Sequence, residues 1–157
     1  MLTIQQTGDW DKLSRTLNRL NTQLTPTAKA RLYEDGTYAL ERLQGHIQNQ
    51  DLAWEKLSEI TVQLKQDERI YIETGELADS FGIFKGTDTS TGCSYFISAS
   101  PYKVHQPSGL KYTELLMYLE YGTIRQPARP LFSPTYDELK KQVRQSWKNY
   151  LKELVRG

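Results

Sequence analysis

One cysteine, two histidines and two methionines in 157 residues leave little for redox or metal chemistry. With Cys93 alone, no intrachain disulfide can form and no cysteine cluster can hold zinc, so a reducing compartment is the simplest inference. His46 and His105 lie far apart in the chain, and no pair stands at metal-ligand spacing. No metal and no cofactor are expected. No segment approaches the roughly 18 consecutive apolar residues of a membrane span. Met1 to Asp9 lacks the basic region and apolar core of a secretory signal, so the expectation is a chain that is cytosolic when made, with no membrane partner. A strong charge of one sign is missing too: 20 Lys and Arg face 19 Asp and Glu, for a net +1. A protein that wraps nucleic acid by itself carries a larger basic excess.

Catalytic motifs are equally thin. The Gly86 to Gly92 segment lacks the lysine and following helix of a phosphate-cradling loop. His105, beside Gln106 and Pro107, could act as a general base in a small hydrolase. That role needs an acid or nucleophile close to the ring, and no nucleophile motif or paired carboxylate accompanies it in sequence. A loop histidine making a local hydrogen bond is the plainer reading. Cys93 reads as a half-buried small hydrophobe. No catalytic residue is assigned.

What is present describes a soluble globular protein, 38% hydrophobic and 25% charged, read as a single domain over residues 1–157. Trp10, Leu13, Leu17, Leu20 and Leu24 recur at three-four spacing and predict a helix over about residues 9–22. Thr25-Pro26, a cap residue followed by proline, predicts the start of a second helix carrying Ala30, Tyr33, Leu40, Leu43 and Ile47. Asp35-Gly36 leaves open a kink or a split within it. Residues 48–68 read as a short helix or an irregular connection. Strands are predicted at Ile70–Ile72, Ser80–Phe84 and Cys93–Ser98, rich in β-branched and aromatic residues. Between the last two, Lys85–Gly92 reads as a polar, mobile hairpin loop. Leu115–Tyr121 predicts a short helix. Ser133-Pro134 opens the last, with Tyr136, Leu139, Val143, Trp147, Tyr150 and Leu154 as its apolar face. The class is α+β: an antiparallel sheet with a long β-hairpin packed against N-terminal and C-terminal helices.

The densest stretch runs from Tyr118 to Pro134. Gly122 frees the backbone, Pro127, Pro130 and Pro134 stiffen it, and Glu120, Tyr121, Arg125 and Arg129 are displayed on that path with Leu131-Phe132 behind them. Rigid display of a few groups suits an assembly joint. Arg129 has two readings, an internal lock against Glu120 or a backbone carbonyl, and a reach to a neighbouring subunit. Tyr121 is open between core filler and interface anchor. On the last helix Lys140, Arg144, Lys148, Lys152 and Arg156 fall at four-residue spacing. They form either a solvated flank or a contact for DNA or an acidic neighbour.

Glu120-Tyr121-Gly122-Thr123 followed by Pro127-Ala128-Arg129-Pro130 and Leu131-Phe132 resembles the signature of a tailed-bacteriophage family of head-tail joining, tail-completion or minor tail proteins. Two upstream pieces agree with it. Trp54, Leu57, Ser58 and Thr61 resemble the Trp-x-x-Leu-Ser-x-x-Thr segment of the Mu-type branch. Thr74, Gly75, Leu77 and Ser80 resemble a Thr-Gly-x-Leu-x-x-Ser segment found across the group. Ala78 stands where many relatives carry a basic residue, and Leu131-Phe132 reverses the usual aromatic-first order. The resemblance implies a structural virion protein at the head-tail junction, assembled in the host cytoplasm as a homomeric ring, most often a hexamer. Its partners would be its own copies, the tail tube protein and head connector or stopper proteins, with DNA only passing through the lumen. Candidate interface residues are Glu120, Tyr121, Gly122, Arg125, Arg129 and Phe132 on the joint, with Thr87, Asp88 and Thr89 on the hairpin. Lys140, Arg144, Lys148 and Lys152 are the candidate contacts to DNA or an acidic partner. The rival from another class is a nucleic-acid-binding module that uses the same stripe.

Overall fold

The computed structural model describes residues 10–89 and 92–156. Along them run α1 (Trp10–Asn49), α2 (Glu59–Lys65), α3 (Glu76–Asp79), β1 (Phe81–Asp88), β2 (Cys93–Ala99), α4 (Tyr112–Tyr121) and α5 (Phe132–Arg156). The class is the expected α+β. The sheet is the antiparallel hairpin β1–β2, with α1 packed against both strands and α5 packed against α1.

The two helices predicted before residue 48 are one. α1 runs unbroken for 40 residues with Pro26 inside it. Thr25-Pro26 is a sound local start signal, but proline removes one donor, and here the helix continues across the gap. The start at Asp9, and the side chains of the apolar row from Trp10 to Leu24, lie outside the described residues. Gly36 does not break the helix into two, and it lies beside β1, where a Cβ would make an ordinary contact with Ile83 Cδ1 at 3.5 Å.

Ile70–Ile72 forms no strand. The Gln50 side chain occupies the backbone of Ile70, accepting from its N–H at 2.7 Å and donating to its carbonyl at 2.9 Å. Tyr71 then takes φ 66°, a left-handed turn that an extended strand cannot contain. A side-chain amide has replaced a neighbouring strand.

The hairpin is longer than predicted and its loop shorter. Phe81 pairs with Ala99 and Ile83 with Ile97, and after a bulge between Lys85 and Asp88 the pairing resumes at Asp88 with Cys93. Lys85–Asp88 is thus strand rather than loop. Gly86 is a close-approach position, since a Cβ there would sit 2.4 Å from Phe96 Cε2 and 2.5 Å from Ser94 Oγ.

One cluster fills the centre: Leu43 and Ile47 of α1, Ile70, Tyr71, Leu77, Phe81, Ala99, Tyr112, Leu116 and Leu119 of α4, and Leu131. α5 starts one residue earlier than expected and buries Leu139 and Tyr150. Tyr136, predicted on its apolar face, is 63% exposed, and Lys140 Nζ lies 5.7 Å from its ring centroid.

Candidate assembly joint

The chain between α4 and α5 turns sharply. α4 ends at Gly122, which adopts φ 73° and ψ 179°, a region open essentially to glycine alone. Close packing adds a second demand, since a Cβ there would meet Ala128 N at 2.7 Å and Gln126 O at 2.9 Å. Thr123 and Gln126 then close a tight turn, with Thr123 N–H donating to Gln126 O at 2.8 Å. Ile124 and Arg125 form its tip, and Ile124 is wholly exposed.

Behind the tip the path is locked from inside. Arg129 is buried, and its guanidinium donates to the carbonyls of Glu55 (2.8 Å) and Lys56 (3.3 Å). Its own N–H donates to Leu119 O, and its carbonyl accepts from the Tyr71 hydroxyl, both at 2.7 Å. Trp54 Nε1 donates to Pro130 O at 2.6 Å, and its ring lies 5.1 Å from that of Tyr71. Of the two internal partners expected for Arg129, the backbone carbonyls are the ones found.

Glu120 does something else. Its Oε2 accepts from the N–H groups of Leu131 (2.6 Å) and Phe132 (3.0 Å), while Oε1 accepts from Ser133 N–H (2.9 Å) and Ser133 Oγ (2.8 Å). A residue at the end of α4 therefore caps the first turn of α5, placing a carboxylate where unpaired amides and the helix dipole favour negative charge. Burial pushes this carboxyl up, yet the bonds from Leu131, Phe132 and Ser133 together outweigh it and hold the group below its ordinary value. Burial, and then the Glu120 charge, push the Tyr71 hydroxyl well above its ordinary value, against the pull of Arg129.

The residues of the two upstream segments have local structural roles. Trp54 and Leu57 pack at the core edge, and Ser58 Oγ accepts from Thr61 N–H at 3.3 Å to cap α2. Gly75, at φ 88°, opens α3, Leu77 is buried, and the Ser80 hydroxyl donates to Leu77 O at 2.7 Å.

The candidate interface residues thus divide by geometry. Glu120 and Arg129 face inward and offer no surface. Phe132 is half-buried, its ring 6.1 Å from that of Phe81. Tyr121, at 76% exposed, and Arg125 face outward. Thr87 and Asp88 are exposed at the far end of β1. Asp88 pairs there with Lys29 of α1 and with Lys85, which hold its carboxyl down to about 2. Thr89 closes the turn, its N–H donating to Gly92 O at 2.8 Å, and residues 90–91 lie outside the described ones.

Both histidines carry more structure than their spacing suggested. His105 Nε2 lies 2.9 Å from Glu73 Oε2, and Nδ1 lies 2.7 Å from Ser108 Oγ. Glu73 and His105 rim an apolar cavity of about 180 Å³ floored by Leu57, Ile70, Tyr71, Leu115 and Leu119. Ser108 does not line that cavity. Its hydroxyl accepts Leu110 N–H at 3.3 Å and closes the turn from His105 to Leu110. His46, weighed in the sequence only as a metal ligand, is buried with Nδ1 2.6 Å from Asp51 Oδ1 and Nε2 3.2 Å from Glu138 Oε2. Arg42 donates to the other Glu138 oxygen at 2.6 Å, so this chain of polar side chains ties the end of α1 to the start of α5. Its only advance signal was a histidine in the last turn of a helix. Among the described residues no group of three or more His, Cys, Asp or Glu could hold a metal ion, and no helix is long and apolar enough to cross a membrane.

No protein-family model, curated protein or solved structure matches this chain.

Proposed function

We propose that the chain is a structural virion protein of a tailed phage, a head-tail joining or tail-completion component that acts as a homomeric ring between the neck and the tail tube. The observation that carries the assembly role is the division of labour at the joint. Inward groups, Glu120 and Arg129, fix the path, so Tyr121, Ile124 and Arg125 stand outside it on a backbone that cannot relax. Preorganised display lowers the ordering cost of association. The exposed Tyr121 and Arg125 also match residue types enriched in interface cores. The phage assignment rests on the resemblance of residues 54–134.

A ring needs a heterologous contact, in which one patch meets a different patch of the next copy. The joint tip supplies one candidate patch, and the end of the hairpin at Thr87, Asp88 and Thr89 the other. Tail tube and connector or stopper proteins would meet the two rims of the ring. No catalytic step is required. The test is native mass spectrometry of the purified chain with and without tail tube protein. The reading expects a closed homo-oligomer, six copies being the anticipated number, at least when tube protein is present. A chain that stays monomeric in both samples overturns it.

A further inference from the structure

α5 carries a row of cations that form no ion pair with any described residue. Lys141, Arg144, Lys148 and Lys152 follow one another at steps of three and four residues, so they share a helix face about 16 Å long. All four are exposed, and among the described residues none of them forms an ion pair. Lys140 differs, being half-buried and bound to Asp137 at 2.5 Å.

The surrounding positions make three of the four unfavourable in isolation, Lys141 alone having acids, Glu138 and Asp137, three and four places before it. Arg144, Lys148 and Lys152 have no acidic residue three or four places away on either side, and each has another cation four places away. Like charges at that spacing destabilise a helix, whereas an acid there would stabilise it. The imbalance is also local. Between Leu139 and Arg156 six cations face the single acid Glu153, although the whole chain carries only +1. The near-neutral total conceals a polarised molecule.

The composition of the face separates two kinds of polyanion. Gln145 and Asn149 are exposed between the cations, and amide side chains join Lys and Arg as donors to phosphate and sugar oxygens. Lysine is depleted from protein–protein interfaces, which makes an acidic protein the poorer fit. The aromatic residues of the helix's middle are turned away. Trp147 Nε1 donates to Asp35 of α1 at 2.7 Å, and Tyr150 is buried with Arg31 5.0 Å from its ring centroid. Without aromatic platforms the face cannot stack unpaired bases, so single strands are disfavoured.

We infer that the outer face of α5, through Lys141, Arg144, Lys148 and Lys152, binds the phosphate backbone of a nucleic-acid duplex without reading its sequence. This develops the nucleic-acid reading of the stripe, but it needs neither a stand-alone binding module nor a ring. A failure of the ring in mass measurements therefore leaves it untouched.

Fluorescence anisotropy of a labelled 20-base-pair DNA duplex, titrated with the full chain at several salt concentrations, tests it. Four phosphate contacts predict a slope of log K against log salt of about −3.6, a loss of roughly a hundredfold between 50 and 200 mM. Arg144→Gln with Lys148→Gln should bring the slope to about −1.8, while Lys56→Gln with Lys103→Gln, away from α5, should leave it unchanged. Acetylation footprinting of the unsubstituted chain provides a second readout, in which duplex should protect Lys141, Lys148 and Lys152. Absence of binding at 50 mM salt, a slope indifferent to the α5 substitutions, or an absence of protection would each overturn the inference. Tighter binding to polyglutamate than to duplex at equal charge would also overturn it, and would assign the face to an acidic protein.

Discussion

Replacing Glu120 by alanine removes the acceptor of four hydrogen bonds and the carboxylate that caps the first turn of α5. The cost can be assembled from its parts. Leu131 is fully buried, so its N–H loses its partner without access to water, at about 1–3 kcal/mol. Phe132 is half-buried and Ser133 exposed, so their donors regain water and add little. Loss of the charge from a partly buried helix N-terminus adds about 1 kcal/mol. The total is about 3 kcal/mol, and with an unfolding entropy of about 2.1 cal/mol/K per residue it lowers the thermal midpoint by roughly 9 °C. Glu120→Gln keeps an oxygen acceptor but loses the charge, and should fall between the two. The carboxyl also leaves a pH signature. Its folded value lies below its unfolded one, so its stabilisation is complete above the unfolded value of about 4.3 and disappears as pH falls through the depressed folded value. Glu120→Ala should therefore flatten the acid limb of stability against pH as well as lowering the plateau at pH 7. Calorimetry from pH 3 to 7 reads both effects. A midpoint within 2 °C of the parent's, with an unchanged acid limb, would refute the capping argument.

Other expectations follow from the same lock. Arg129→Ala should cost about 1.5–3 kcal/mol, because the bonds from a buried, charged donor to the carbonyls of Glu55 and Lys56 are lost; chemical denaturation measures it, and an unmoved midpoint would remove Arg129 from the lock. Gly122→Ala should cost about 1–3 kcal/mol from backbone strain alone, with more from the clash against Ala128 N; calorimetry giving a midpoint equal to the parent's would refute it.

How much of this was legible in the sequence varies with how local the cause is. α4, α5 and β2 follow from patterns contained within each element and were readable, whereas β1 was read only as far as Phe84, because its Lys85–Asp88 half has the composition of a loop. α1 was misread because Thr25-Pro26 is a genuine start signal that the continuing helix overrides. Ile70–Ile72 has the composition of a strand, but the groups that decide its backbone belong to Gln50, twenty residues away. Glu120 is the sharpest case. An acid at the end of one helix caps the start of another, and only the turn fixed by Gly122, Arg129 and Tyr71 brings them together. Density of proline, glycine and charge pointed to a stiff turn here, but gave no means of telling its inward residues from its outward ones.

The central claim, that the joint is locked from within so that it can present Tyr121 and Arg125 outward, is tested most directly by the double substitution Tyr121→Ala with Arg125→Ala. Native mass spectrometry should be run on it and on the unsubstituted chain, each with tail tube protein. Both side chains are exposed and outside the lock, so circular dichroism and the thermal midpoint should stay within error of the parent's. The account predicts a folded chain that no longer assembles. An oligomer formed as readily as by the unsubstituted chain would contradict it.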